Sequence, residues 1–394
     1  MLTTLLHPAA RRLTGLAIAL FGLSTTAPAQ TRVLFVGNSF THGQFAPALN
    51  YNAAAITDVN FGLPAGHPRA HDAGMQAAFG GVPGIFKMFT TQAGLNYDVH
   101  IEAVSGTSLQ FHHTNALPIL TQPGWDKVVL QEQSTRPVPT SRGGSPALFY
   151  DYATRLEQAI HSASPATQVY LYQTWARPDF TYPAGSRYAG LPIDSMTRDL
   201  HVAYYRAFFS NGRYTAVAPV GNAWLTAITT GVAMRNPYTP DLSKINLWAS
   251  DHVHASKWGS YLSALVLFYQ LTGVDPRTLG GSEQAAADLV ITPTTAVALQ
   301  QIAYQQVNTV VTGAKVPQPG RNQLVLWPNP TRDNVQLSGL PVGHTVGVFN
   351  ALGQQVTSAV VPTSGTLELA LPAQLPTGVY VVRSGTLSRR LVVN

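Results

Sequence analysis

The chain of 394 residues contains no cysteine. That absence excludes a disulfide framework, a zinc-thiolate site and a cysteine nucleophile. Charge is also scarce: Asp, Glu, Lys and Arg make up 11% of the residues, against about 25% in an ordinary soluble protein. The formal net charge is +6, yet the Lys and Arg residues are scattered and never run longer than two. A nucleic-acid interface needs a clustered basic face, so nucleic acid is not an expected partner. Beyond the N-terminal region no segment offers the roughly 20 continuous apolar residues of a membrane span.

What is present begins with a processing signature. Arg11 and Arg12 precede a mainly apolar run from Leu13 to Leu23, which ends in Ser24-Thr25-Thr26 and the small-x-small site Ala27-Pro28-Ala29. This pattern reads as an export signal over residues 1–29, cleaved after Ala29, with a soluble mature chain from Gln30. Outside the cytoplasm there is little ATP or NAD, so no cofactor is expected. The length allows two or three domains and a full core.

Strand and helix patterns alternate through the first three hundred residues. Strands are expected at Arg32 to Val36, Tyr97 to Val104, Trp125 to Leu130, Gln168 to Thr174 and Tyr214 to Pro219. Helices are expected at Pro83 to Gly94, at Ser145 to Ser162 with Leu148, Tyr152, Leu156, Ala159 and Ile160 on its apolar face, and at Ile193 to Phe209. Two more run from Ala255 to Thr272 and, capped by Thr292 with Pro293 at the first position, to Val311. Gln44 to Val82 reads as a long loop with short helical pieces. The alternation predicts an α/β layer with a mostly parallel sheet, whose ligand site lies beyond the carboxyl ends of the strands. Residues 30–311 are therefore expected as one domain, 312–323 as a Pro/Gly linker, and 324–394, with short strands and no helical pattern, as an antiparallel β-sandwich.

Two stretches carry chemistry. The first strand runs into Gly37-Asn38-Ser39, a tight turn presenting one hydroxyl. Ser39 needs a base, an orienter and oxyanion donors to be a nucleophile. Ser250-Asp251-His252-Val253-His254, just ahead of a helix, supplies a candidate pair, because an Asp three residues before a His lets the carboxylate hold the imidazole in the tautomer of a general base. Asp251, His252 and His254 also raise a metal site, but no His-Glu-x-x-His or cysteine pair accompanies them, so no metal is expected. Small residues after the second strand, Ser105-Gly106-Thr107-Ser108, and Gln131-Glu132-Gln133-Ser134 after the third complete the set.

Together these segments resemble the SGNH (GDSL-like) hydrolases over roughly residues 31 to 275. Gly37-Asn38-Ser39-Phe40 resembles the first block of that family, with Asn38 where Asp is more usual; Ser105 to Ser108 resembles the second, whose glycine gives a backbone N–H to the oxyanion; Asp251 and His254 fit the Asp-x-x-His of the last. The resemblance implies a three-layer α/β/α, flavodoxin-like hydrolase with a Ser39-His254-Asp251 triad and an oxyanion hole from the N–H groups of Ser39 and Gly106. Where the family usually has Gly-x-Asn-Asp this chain has glutamines. Gln131 is the preferred amide donor and Gln133 the second choice, since alternate residues of a strand share a face. On the same alternation Glu132 is a structural hydrogen-bond partner. Trp175 and Arg177, after the fourth strand, are candidate substrate contacts. His112 and His113 have no nameable partner.

The tail carries a second resemblance. Leu326-Trp327-Pro328-Asn329-Pro330, Val348 to Gln354, Leu375 to Tyr380 and the basic-apolar end Arg389 to Val393 resemble a type IX secretion sorting domain. That implies passage through the periplasm and a secreted or cell-surface protein handled by the type IX machinery. The expected activity is a secreted serine esterase acting on a small acyl ester or acetylated carbohydrate. A lipase or thioesterase of the same fold, and a non-catalytic surface carbohydrate-binding protein, are the alternatives.

Overall fold

In the computed structural model, residues 30–75, 77–311, 324–350, 353–363, 365–385 and 387–394 are described. The expected export signal, 1–29, and linker, 312–323, lie outside the described residues.

The first strand, β1 (Thr31–Gly37), buries Val33, Leu34, Phe35 and Val36 in succession. Successive strand side chains point to opposite faces, so unbroken burial requires cover on both sides of the sheet. A single turn α1 (Ser39–His42), a two-residue strand β2 (Thr57–Asp58) and α2 (Gly81–Gln92) follow. Then β3 (Tyr97–Ala103) leads to α3 (Leu109–Asn115) and α4 (Leu117–Leu120), β4 (Lys127–Leu130) to α5 (Pro146–Ala163), β5 (Gln168–Tyr172) to α6 (Asp194–Asn211), and β6 (Ala216–Ala218) to α7 (Val220–Thr229). Three further helices, α8 (Lys257–Thr272), α9 (Gln284–Asp288) and α10 (Pro293–Val311), close the α/β region. Thr292 Oγ1 accepts from Thr295 N–H at the start of α10, the cap its sequence predicts.

The six strands form one sheet in the order β2-β3-β1-β4-β5-β6, and every neighbouring pair is parallel. β1 lies between β3 and β4, so the direction in which strands are added reverses there. A crevice opens beyond the carboxyl ends at such a switch point. Helix α2 packs on α8 and α8 on α10, while α3 packs on α5 and α5 on α6. Phe35 of β1 meets Phe86 of α2 edge-on at 5.3 Å. The result is a three-layer α/β/α arrangement, as the strand and helix alternation predicts.

Several details differ from the sequence reading, which named no helix at α3, α4, α7 or α9. β2 lies inside the stretch read as loop, because two residues are too short to show a period. In α5 the buried face is Phe149, Ala153, Leu156, Glu157, Ile160 and His161, whereas Leu148 is exposed. The hydrogen-bonded pair of Glu157 and His161 occupies places an apolar count gives to hydrophobic residues.

In the C-terminal region seven strands, β7 (Val325–Trp327), β8 (Asn334–Ser338), β9 (Thr345–Phe349), β10 (Gln355–Val360), β11 (Leu367–Ala370), β12 (Gly378–Ser384) and β13 (Leu387–Val393), make two antiparallel sheets. Their orders are β10-β9-β12-β13 and β11-β8-β7. Val335, Leu337 and Leu369 of one sheet and Val346, Val348, Val382 and Leu391 of the other share one core. The alternation of buried Tyr380 and Val382 with exposed Val379 and Val381 is that of a sheet wet on one face.

Phe268 of α8 is fully buried and meets Phe89 at 5.7 Å and Phe86 at 6.5 Å. Phe268→Ala is expected to lower unfolding stability by about 3–5 kcal/mol, read by urea denaturation.

Candidate active site

The carboxyl ends of β1, β3 and β4 bring the sequence blocks together. At the end of β1, Asn38 caps α1: its Oδ1 accepts from Phe40 N–H at 3.0 Å, its Nδ2 donates to the Thr107 carbonyl at 2.8 Å, and its own N–H donates to Gln131 Oε1 at 3.0 Å. Ser39 follows, nearly buried. Ser39 Oγ lies 2.9 Å from His254 Nε2, and His254 Nδ1 lies 2.5 Å from Asp251 Oδ2. The contact joins residues 215 positions apart. A carboxylate on Nδ1 fixes the proton there and leaves the Nε2 lone pair facing the hydroxyl. Partial burial alone would raise the Asp251 pKa, but hydrogen bonds from the His254 ring and from the N–H groups of His254 and Val253 overcome it and hold the carboxyl below its ordinary value.

The loop carrying His254 is itself fixed. Ala249 N–H donates to the His254 carbonyl and Ser256 N–H to that of Leu247, both at 2.8 Å, and Ser256 caps α8. His252 takes a left-handed conformation at φ 60° inside this loop. Trp175 Nε1 donates to the Val253 carbonyl at 3.1 Å. The Trp175 ring stacks on Phe40 at 4.0 Å, and Phe40 meets the His254 ring edge-on at 5.6 Å. Trp175 is thus fully buried, which corrects its reading as a substrate contact: it holds the His254 loop through the Val253 carbonyl. Sequence position after a strand does not distinguish a rim indole from a core one. An exposed ring next to His254 is Phe45, edge-on to it at 5.9 Å, which no motif singles out.

The glutamines also sort differently. Gln131 is fully buried; its Oε1 accepts from Asn38 N–H and from Thr41 Oγ1 at 2.9 Å, and its Nε2 donates to the Glu132 carbonyl at 2.5 Å. One hydrogen of its amide NH₂ is thus given to backbone, and its oxygen supports the Ser39 turn. Gly37 is required by this contact, since a Cβ there would stand 2.4 Å from Thr41 Oγ1 and 2.5 Å from Gln131 Oε1. Gln133, half-buried, has its Oε1 held by Thr135 N–H, Thr135 Oγ1 and Arg136 N–H at 3.0, 2.9 and 3.1 Å. Three donors on the oxygen fix the amide and turn its NH₂ to the other side. Strand alternation groups Gln131 with Gln133, but the strand ends at Leu130, so the period no longer applies.

Arg177 does not present a free cation. Its guanidinium donates to both oxygens of Asp179 at 3.0 and 2.6 Å and to Ser134 Oγ at 3.0 Å, and lies over Phe180. It ties the loop after β4 to the loop after β5. Glu132 accepts from Gln133 N–H at 2.6 Å and Leu109 N–H at 3.2 Å. His112 acquires a partner, pairing with buried Glu102 of β3, and His113 meets Tyr152 edge-on at 5.6 Å. Among the described residues, neither Ser39 N–H nor Gly106 N–H donates a hydrogen bond. Gly106 itself is exposed at φ 69°.

Comparison with known proteins adds one assignment. Residues 325–394 match the family model described as the secretion system C-terminal sorting domain. The chain carries a C-terminal sorting domain. That domain indicates export by the type IX system to the cell surface or the outside. Among the described residues no helix is long and apolar enough to cross a membrane. No curated protein matches. Among solved structures, a DUF4886 family protein from Bacteroides uniformis is similar at 17% identity, with 73% of this chain and 98% of that one covered and a TM-score of 0.46. The lipase/acylhydrolase from Enterococcus faecalis is similar at 14% identity, with 62% and 96% covered and a TM-score of 0.38. The family 3 carbohydrate esterase of Clostridium thermocellum is similar at 13%, with 61% and 94% covered and a TM-score of 0.36.

Burial pushes the Glu132 pKa up from 4.5 to about 7, against the opposing hydrogen bond from Gln133 N–H. Between those values the folded chain keeps a proton that the unfolded chain has released, so stability falls as pH rises through the window. Glu132→Gln keeps an acceptor and removes the titration. Its melting temperature is expected to gain on the wild type from about pH 5 to about pH 8, by the equivalent of about 1–3 kcal/mol, read by thermal melts at both pH values.

Proposed function

We propose that the protein is an exported serine ester hydrolase of SGNH type, with residues 30–311 as its catalytic domain. The observation that carries this reading is the unbroken line Ser39 Oγ, His254 Nε2, His254 Nδ1, Asp251 Oδ2, at 2.9 and 2.5 Å. Such a line transfers a proton and little else.

In the proposed reaction, His254 Nε2 takes the Ser39 proton as Oγ attacks the acyl carbon. The carbonyl electron pair moves onto oxygen, where the N–H groups of Ser39 and Gly106 and the Gln133 amide are the proposed donors. Collapse expels the alcohol oxygen, which receives the proton from His254. Water then attacks the acyl-Ser39 ester with His254 again as base, releasing the carboxylic acid and restoring the serine. Asp251, kept ionised by its hydrogen bonds, stabilises the imidazolium at each stage.

The proposed substrate is a small acyl ester, acetyl on carbohydrate in the first instance. Export brings the enzyme to extracellular polymers. Phe45 beside His254, and Tyr238 with its ring 4.1 Å from that of His252, are exposed aromatic faces on which a sugar ring can stack. The β-sandwich is proposed to act in export and to take no part in the reaction.

Wild type is expected to hydrolyse p-nitrophenyl acetate and to be labelled by a fluorophosphonate, and Ser39→Ala to do neither; an unlabelled, inert wild type overturns the proposal. Gln133→Ala is expected to lower kcat by about 10²–10³ at nearly unchanged melting temperature. Gln131→Ala is expected to show the converse, a clear loss of stability from the orphaned Asn38 N–H, by about 1–3 kcal/mol. Steady-state kinetics and thermal melts on the two variants separate these roles.

A further inference from the structure

Gly106 stands alone on its loop. It is exposed, and a Cβ at this position would meet nothing within 4 Å, so its own packing does not set the direction of its N–H. The residues on either side of it are held instead. Ser105 Oγ lies 3.1 Å from His42 Nε2, and Thr107 Oγ1 lies 3.2 Å from His112 Nε2. Both rings are fully buried, and neither is the proposed base.

The hydrogens on the two sides run in opposite senses. His42 Nδ1 lies 3.1 Å from the Gly43 carbonyl, which can only accept, so the ring hydrogen sits on Nδ1. Burial lowers the His42 pKa to about 4; the ring is neutral, and its Nε2 accepts the Ser105 hydroxyl hydrogen. Thr107 Oγ1 donates to the Val104 carbonyl at 2.7 Å. Its remaining role toward His112 is as acceptor, so His112 Nε2 is the donor. His112 Nδ1 pairs with Glu102, whose Oε1 accepts from Asn60 Nδ2 at 3.2 Å. Asn60 Oδ1 in turn accepts from Arg69 at 3.0 Å.

We propose that His42 and His112, with Glu102 behind the second, are positioning residues that clamp Gly106 through its two flanking hydroxyls and aim its N–H at the developing oxyanion. The assignment rests on the ester-hydrolase reading. The clamp also joins the loop to the nucleophile: His42 closes the turn that begins at Ser39, and the Thr107 carbonyl accepts from Asn38 Nδ2. A shift of the Ser39 turn therefore carries Gly106 with it, and the two backbone donors keep their spacing.

The test uses Ser105→Ala and Thr107→Val, which remove only the clamped hydroxyls, in the full chain. Each is expected to lower kcat on p-nitrophenyl acetate about tenfold with KM within about twofold, the pair about a hundredfold, with no shift in the pH midpoint of kcat/KM. Thr107→Ser is expected to retain kcat within about twofold. Amide hydrogen exchange of the peptide spanning residues 103–108 is expected to quicken about tenfold in the single variants, a readout that needs no turnover. Unchanged exchange overturns the clamp even if the wild type is inert, which would count separately against the ester-hydrolase reading. Unchanged kcat in variants of an active wild type overturns it too.

Discussion

The hydrogen bond between Ser39 and His254 closes a gap between two ends of the α/β region, and most of the surrounding packing maintains its length. Ser39 is set by the end of β1, the central strand of a parallel sheet, and His254 by a tight loop ahead of α8. Neither side chain reaches the other by local structure. Phe40, Trp175 and the Val253 carbonyl form a continuous contact from the residue after the serine to the residue before the histidine. A rigid ring stack of this kind transmits position without adding charge, so the imidazole loses its freedom to move.

Beneath Ser39 the support is polar. Gln131 satisfies Asn38 N–H and Thr41 Oγ1 together, Glu132 ties the loop after β4 to the first turn of α3, and the pair of Glu102 and His112 lies behind the Gly106 loop. Buried polar groups are costly unless satisfied, and Gln131 and Glu132, both after β4, find partners after β1 and β3. The carboxyl ends of β1, β3 and β4 are thereby joined into one unit. Glu132 Oε2 has no hydrogen-bond partner among the described residues, consistent with a carboxyl that burial biases toward its neutral form.

Much of this was legible in the residues. The unbroken apolar run of β1, the alternation of strand and helix patterns, and the Thr292-Pro293 start of α10 each express a local rule that tertiary packing did not override. The spacing of Asp251 and His254 likewise belongs to a local loop, and the geometry brings that loop to Ser39. What was not legible depends on contacts between distant segments. Trp175 is a core residue because Phe40 and Trp224 sandwich it, and no pattern near position 175 reports that. Gln131 turns inward because Gly37 leaves room for its amide. His112 finds Glu102 across the β3 to α3 connection, and Glu102 merely continues the alternating polar positions Asp98 and His100 of β3, so nothing near it marks it as buried. Leu148 and Glu157 exchange their expected places on α5 because a buried hydrogen-bonded pair, Glu157 with His161, mimics the apolar period.

The central claim is that Ser39 becomes covalently acylated through His254. Mass spectrometry of protein quenched in acid during turnover of p-nitrophenyl acetate, followed by peptide mapping, reads this directly. The account predicts an acetyl group on Ser39 in the wild type and none in His254→Ala. Product formation with no adduct on Ser39, or with the adduct on another residue, would contradict it.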